Sequence, residues 1–106
     1  MLIAITQKHI DAALKTFGTC PLVEALSELF DHRVGVGYNY WNFQGVPKLY
    51  EMPSKARSFA IKYDNARIDG EDMPEPTSIE FGDVSLNDEK EIFLQGQPLR
   101  ELVSVS

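Results

Sequence analysis

The sequence predicts an α+β fold in which a small antiparallel sheet packs against about three short helices. Three stretches repeat apolar residues at the spacing of an amphipathic helix, and several others alternate or cluster β-branched and aromatic residues as strands do. The chain has 106 residues, of which 43% are hydrophobic and 25% are charged. This length and this composition are typical of one globular domain with its own core.

Three helices account for the helical spacing. The first is expected to follow Thr6, a suitable N-cap, and to stop at Gly18, with its apolar face at Ile10, Ala13, Leu14 and Phe17. The second begins at Pro21, since proline suits a first turn, and has the strongest stripe of the chain: Leu22, Ala25, Leu26 and Leu29. The third starts at Pro53 or Ser54 and turns inward Ala56, Phe59, Ala60 and Tyr63.

Strands are expected before and between these helices. Residues 2–5 form a short apolar strand, and residues 77–81 alternate as a strand does. Residues 33–43 are predicted as one aromatic strand that pairs through a turn with residues 48–52. Two further apolar segments are either edge strands or ordered only against a partner: residues 91–94 and 99–105.

The charge is concentrated in the last third of the chain. Residues 1–66 carry seven bases and six acids, net +1, whereas residues 67–106 carry three bases and ten acids, net −7. We therefore expect a compact core over residues 1–81 and an acidic C-terminal extension over residues 82–106, within one domain. Such a surface repels nucleic-acid phosphates and favours a protein partner with a basic surface. The alternative is that the acids only keep the protein soluble.

The best candidate for a binding site is the aromatic run Tyr38, Tyr40, Trp41 and Phe43, four of the eleven aromatic residues. Alternation along a strand places the two tyrosines on one face and the other two rings on the opposite face. Whichever pair faces outward is suited to a protein interface or a stacked ligand. The alternative is that both pairs are covered. The acidic residues expected to take part in partner binding are Asp83, Asp88, Glu89 and Glu91.

No catalytic, metal or cofactor site is predicted. Cys20, the single cysteine, stands at a predicted helix N-terminus, but only His9 or His32 is available as its base. We expect Cys20 to be a packing residue, His9 to bond back to its helix start, and His32 to follow the second helix. These residues lack the close spacing of metal ligands. The lone cysteine and the absence of a signal peptide or a long apolar run predict a soluble, cytoplasmic protein.

Several short segments share a pattern with one group of proteins: residues 6–11, 20–26, 34–37, 50–53 and 76–81, together with Ala56, Phe59 and Asp64. On these segments the chain resembles small proteins of unassigned activity that bacteriophages and prophages encode. The likeness covers about residues 3–81 and excludes the run 38–43 and the 25 residues after Phe81. The resemblance implies a phage or prophage setting, and it implies no catalytic activity.

Three functions compete. The first is a non-enzymatic protein-interaction module, by analogy with phage accessory proteins that inhibit host defence. The second is an oligomeric small-ligand binder, in which the aromatic rings stack a nucleotide-like group. The third is an enzyme that uses Cys20. The charge asymmetry favours the first, the aromatic residues alone favour the second, and a single residue favours the third. We therefore predict an interaction module, with or without homo-oligomerisation.

Overall fold

The computed structural model describes residues 1–16 and 18–103, and within them the predicted α+β class is confirmed. The helices are α1 Gln7–Lys15, α2 Pro21–Phe30, α3 Ser54–Asp69 and α4 Leu99–Leu102. The strands are β1 Leu2–Ile5, β2 Val34–Val36, β3 Tyr40–Phe43, β4 Tyr50–Glu51, β5 Thr77–Glu80, β6 Val84–Leu86, β7 Ile92–Leu94 and β8 Gln97–Pro98. None of the helices in the described part of the chain is long and apolar enough to cross a membrane.

The strands form three small antiparallel sheets where one was predicted. β1 pairs with β5, so that Ile3 lies opposite Ile79. β2, β3 and β4 form a second sheet in that order, and β6, β7 and β8 form a third. The pairing of β1 with β5 connects the beginning of the chain to the segment that follows α3.

Two of the predicted helices differ from the observed ones at their ends. α2 begins at the predicted Pro21 and buries Leu22, Ala25, Leu26 and Phe30, whereas Leu29, which was predicted on the apolar face, is exposed. α1 ends at Lys15, and the predicted contribution of Phe17 lies outside the described residues. α3 continues to Asp69, several residues beyond its predicted apolar face. It ends where Gly70 adopts φ 73°, a left-handed conformation that suits the residue after a helix.

The core is built around aromatic rings that meet edge to face. The Trp41 ring centroid lies 5.4 Å from that of Phe43 and 5.6 Å from that of Phe81, and both pairs are T-shaped. Phe43 in turn meets Phe30 of α2 at 5.3 Å. Aromatic rings prefer this arrangement because the positive edge of one ring faces the negative face of the other. The β2–β3–β4 sheet is thereby fixed against α2.

The acidic last third contributes to this same core. Val84, Leu94 and Leu99 are buried and belong to one hydrophobic cluster with Leu26 and Trp41. Residues 99–102 form a short helix, so of the two alternatives for this segment the edge strand was wrong. Pro98 precedes this helix, and the Leu, Arg and Glu residues of the helix are good helix formers. Val103 is the C-cap of this helix, and residues 104 and 105 of the same segment lie outside the described range.

Candidate functional site

The aromatic run does not form one strand, because the chain reverses direction inside it. Gly37 N–H donates to the Tyr40 carbonyl at 2.9 Å, and β2 pairs with β3 across this turn. Residues 34–43 are therefore a hairpin, and residues 44–49 connect β3 to the short strand β4. Tyr38 lies in the turn, away from the strand that holds Tyr40.

The inner face of β3 belongs to the core. Trp41 is 1% exposed and Phe43 is 0% exposed, so neither ring is accessible to a partner. Their prediction as partner-binding residues was wrong. The reason is that alternation along β3 turns both side chains towards α2 and the residues beyond β5, where they pack against Phe30 and Phe81.

The outer face of β3 and β4 carries exposed apolar surface. Tyr40 is 54% exposed and lies directly opposite Glu51 in the β3–β4 ladder. Leu49, just before β4, is 55% exposed. We call Tyr40, Leu49 and Glu51 the tyrosine face. It joins a large ring, an aliphatic side chain and a carboxylate on one side of the sheet.

Gly35 shapes the same side of the sheet. A Cβ atom on Gly35 would lie only 2.7 Å from Asn42 Oδ1, which is closer than real side-chain contacts allow. The Asn42 side chain therefore lies across β2 only because residue 35 has no side chain. The paired glycines 35 and 37 are thus explained by this close approach and by the hairpin turn.

A cleft beside the tyrosine face is lined by carboxylates from two stretches of the chain that are distant in sequence. We call it the acidic cleft; its volume is about 420 Å³ and its lining residues are Glu51, Met52, Pro53, Ser54, Arg57, Glu80, Gly82 and Asp83. Gln95 holds Asp83 in place, since its Nε2 donates to Asp83 Oδ1 at 3.1 Å. The Met1 amino group lies 2.9 Å from Glu80 Oε1. Three carboxylates and one guanidinium thus line this cleft, and one of the three carboxylates is paired with the Met1 amino group.

The structure separates the other predicted acidic residues from this cleft. Asp88 and Glu89 lie in the turn between β6 and β7, which Asn87 Oδ1 closes by accepting from the backbone N–H groups of Glu89 and Glu91. This turn is roughly 13 Å along the hairpin from Asp83, at about 3.3 Å per residue. Glu91 forms an ion pair with Arg100. Of the four predicted acids, only Asp83 joins the acidic cleft.

A second cleft, of about 380 Å³, lies nearer the other end of α3. We call it the Cys20 cleft. It is lined by the segment before α2, by the β2–β3 turn and by α3, through Gly18, Thr19, Cys20, Val23, Val36, Gly37, Tyr38, Ala60, Asp64 and Arg67. Tyr38, which is 45% exposed, donates its hydroxyl proton to Asp64 Oδ2. Hydrogen bonding to Asp64 and partial desolvation together raise the pKa of Tyr38 above its ordinary value of 10.0.

Cys20 lacks the lowered pKa that an activated nucleophile requires. Burial raises the pKa of its thiol above the ordinary value of 9.0, and the neighbouring backbone N–H groups of Val23 and Leu22 offset only part of that shift. Reactive cysteines show the opposite shift, because the thiolate is the nucleophile. The thiol therefore stays protonated at neutral pH, which supports its prediction as a packing residue.

Both histidines make structural contacts. Thr6 N–H donates to His9 Nδ1 at 3.0 Å, so the predicted bond back to the helix start is confirmed. His32 follows α2 and bonds through Nε2 to the Gln44 carbonyl at 2.9 Å. Among the residues that the structure describes, no three His, Cys, Asp or Glu side chains are grouped so that they would hold a metal ion.

Comparison of the chain with protein-family models, with curated proteins and with solved structures gives no match. The resemblance to phage and prophage proteins therefore stays a prediction. The two clefts and the tyrosine face are the features of the described residues that bear on function.

Sequence reasoning missed several residues of both clefts. Glu80 and Asp83 are close in sequence, but Glu51 joins them in one cleft only through the tertiary fold, which no local pattern encodes. Asp64 and Arg67 are different, because their three-residue spacing in a helical segment already places them on neighbouring positions of the helix surface. That signal was present, but the predicted apolar face of the third helix ended at Tyr63.

Proposed function

We propose that this chain is a non-enzymatic protein-interaction module that binds a basic segment of a partner protein. The observation that carries the proposal is the position of Glu51. It lies opposite the exposed ring of Tyr40 and also lines the acidic cleft. An exposed aromatic ring and a group of carboxylates therefore adjoin each other through one residue.

This arrangement suits an arginine or lysine side chain. The aliphatic part of such a side chain packs on apolar surface while its charged end reaches a polar group. A guanidinium within about 6 Å of a tyrosine ring gains a cation–π interaction. Tyr40 and Leu49 would supply the apolar surface, and Glu51 and Asp83 would supply the negative charge.

The charge distribution supports a basic partner at longer range as well. Residues 67–106 carry a net charge of −7, and several of these acids lie outside the acidic cleft. Exposed charges of this kind mainly increase the rate of association, because they steer an oppositely charged partner. We therefore assign Asp88 and Glu89 to steering and the tyrosine face to the bound contact.

The setting belongs to the same proposal. The sequence resemblance suggests a phage or prophage accessory protein, and the partner would then be a host protein with a basic surface, such as a component of a defence system. We place this interaction in the cytoplasm of the host cell. The chain itself would inhibit by occupying the basic surface and would perform no chemistry.

The proposal is tested by binding of a labelled arginine-rich peptide to the full chain. Glu51→Gln combined with Asp83→Asn should weaken binding about three- to tenfold, the range expected for losing two exposed charge contacts. The matched control is Glu71→Gln combined with Asp72→Asn, which removes the same charge from the exposed segment after α3.

Binding should also weaken with salt, since the reach of charges falls from about 10 Å at 0.1 M to about 3 Å at 1 M. An equal loss in both double variants would mean that only net charge matters and that the acidic cleft is not the site. Failure of the unaltered chain to bind the peptide at low salt would contradict the proposal altogether.

A further inference from the structure

The Cys20 cleft has the form of a small-molecule site. Its volume of about 380 Å³ falls at the small end of the range for ligand pockets, roughly 300–1,000 Å³. Its apolar walls are Val23, Val36 and Ala60. Such pockets combine apolar walls with a few polar groups that orient the ligand. The polar groups here belong to Thr19, Cys20, Tyr38, Asp64 and Arg67.

Two opposite charges line this cleft without neutralising each other. Asp64 and Arg67 are three residues apart on α3 and so lie on neighbouring positions of its surface. Among the described residues no ion pair joins them. Asp64 accepts from Tyr38 through Oδ2 only, and the Arg67 guanidinium carbon lies 6.0 Å from the Tyr63 ring centroid. One carboxylate oxygen and one guanidinium therefore remain for a ligand.

Tyr63, the residue before Asp64 on α3, has an unsatisfied polar atom. Its side chain is fully buried, and its hydroxyl has no hydrogen-bond partner among the described residues. Burial raises the pKa of Tyr63, and its ring lies 6.0 Å from the guanidinium carbon of Arg67, which lines the cleft. A buried hydroxyl of this kind is normally satisfied by an ordered water or a ligand.

From these observations we propose that the Cys20 cleft binds a small zwitterion with an apolar body, of which a free aliphatic α-amino acid is the simplest form. Its ammonium group would pair with Asp64, its carboxylate with Arg67, and its side chain would pack on Val23 and Val36. This goes beyond the interaction function, because it concerns a different cleft and does not depend on partner binding.

The same charges argue against a nucleotide-like ligand. A phosphate group needs several donors or cations, and this lining offers one guanidinium beside the carboxylate of Asp64. The Cys20 thiol adds no positive charge. A nucleotide therefore serves as the contrasting ligand in the test.

The test compares leucine with two analogues that each lack one charge. Leucinamide keeps the ammonium and lacks the carboxylate, whereas N-acetylleucine keeps the carboxylate and lacks the ammonium. Because Cys20 is the single cysteine, the rate of its labelling by a thiol reagent reports occupancy of this cleft alone. Amide chemical shifts of residues 18–20, 22–23, 36–38 and 60–67 give a second readout. Leucine should slow labelling, and each analogue should bind about three- to tenfold more weakly.

Variants separate specific pairing from loss of structure. Asp64→Asn should weaken the binding of leucine and leave the binding of N-acetylleucine unchanged, since that analogue has no ammonium group to pair with residue 64. Arg67→Gln should weaken the binding of leucine and leave the binding of leucinamide unchanged, since leucinamide has no carboxylate. Matched controls on the exposed side of the same helix are Asp69→Asn and Lys62→Gln, which should alter none of the three affinities.

Three results would overturn the proposal. One is that leucine at about 10 mM neither slows the labelling of Cys20 nor changes any amide chemical shift. This concentration is about ten times a millimolar dissociation constant. Another is equal binding of leucine and either analogue. The third is tighter binding of adenosine monophosphate than of leucine. None of these results bears on the basic-peptide test, so the two proposals fail independently.

Discussion

Neighbouring aromatic residues on β3 occupy opposite environments. Trp41 and Phe43 face inward and meet the rings of Phe30 and Phe81, whereas Tyr40, from the same strand, projects into solvent opposite Glu51. Buried rings of this size dominate the energetics of a core. An exposed ring adds little to stability and retains its surface for a partner. The comparison shows that only half of an aromatic run is available for binding, and that register decides which half.

The largest effect should come from the inner face. Trp41→Ala removes a ring that is fully buried among aromatic neighbours, and we expect a loss of about 3–5 kcal/mol in the free energy of unfolding. Urea unfolding followed by circular dichroism measures this loss. Tyr40→Ala on the outer face is the comparison, with an expected change within about 0.5 kcal/mol. Similar losses for the two variants would show that the faces are not energetically distinct.

Alkaline pH should reveal the inner face in a second way. Burial raises the pKa of Tyr50 above its ordinary value of 10.0, with a smaller contribution from the charge of Asp83. Below pH 10 the Tyr50 hydroxyl is protonated in both the folded and the unfolded state, so the contribution of Tyr50 to the free energy of unfolding is at its maximum. As the pH rises further, the unfolded chain loses the proton first, and stability falls until the pH passes the raised pKa.

The free energy of unfolding should thus decrease above about pH 10, by about 1.4 kcal/mol for each unit of pKa difference. Tyr50→Phe should remove part of this decrease. Tyr40→Phe removes a hydroxyl from the exposed face and is the matched control, and an equal effect of both substitutions would contradict the assignment of Tyr50 to the core.

A smaller effect on stability is expected from a substitution at Gly35, on the outer side of the β2–β3 hairpin. Gly35→Ala places a Cβ atom 2.7 Å from Asn42 Oδ1, so the asparagine side chain must rotate away. We expect a loss of about 1 kcal/mol, at the low end for overpacking, because a flexible side chain gives way. Asn42→Ala in the same chain should abolish the loss. A double-mutant cycle measures this coupling, and additive losses would mean that the two side chains do not compete for space.

Local patterns predicted the elements that local physics determines. The α2 helix could be predicted because Pro21 suits its first turn and Leu22, Ala25 and Leu26 mark one face. The contact of His9 with Thr6 is equally local. The hairpin turn at Gly37 was missed because alternating glycine and valine residues in this segment resemble a continuous strand. The strand residues were therefore predicted correctly, but the reversal of the chain between β2 and β3 was not predicted.

The candidate sites depend on contacts between distant segments, which explains why they were only partly predicted. Tyr40 and Asp83 were identified from residue type alone. Their connection through Glu51 required the register of β3 against β4 and the position of the segment after β5. Likewise, Asp64 and Arg67 become part of a cleft only because the β2–β3 turn brings Tyr38 to α3.

The most direct test of the central claim is the dissociation rate of an arginine-rich peptide from the Tyr40→Ala variant. Removal of a contact made only in the complex acts mainly on dissociation, so we expect faster dissociation, an association rate close to that of the unaltered chain, and an unchanged melting temperature. Tyr38→Ala, which removes an exposed tyrosine from the Cys20 cleft, should leave both rates unchanged. An unchanged dissociation rate in the Tyr40 variant, or an equal increase in the Tyr38 variant, would contradict the claim that the tyrosine face is the binding surface.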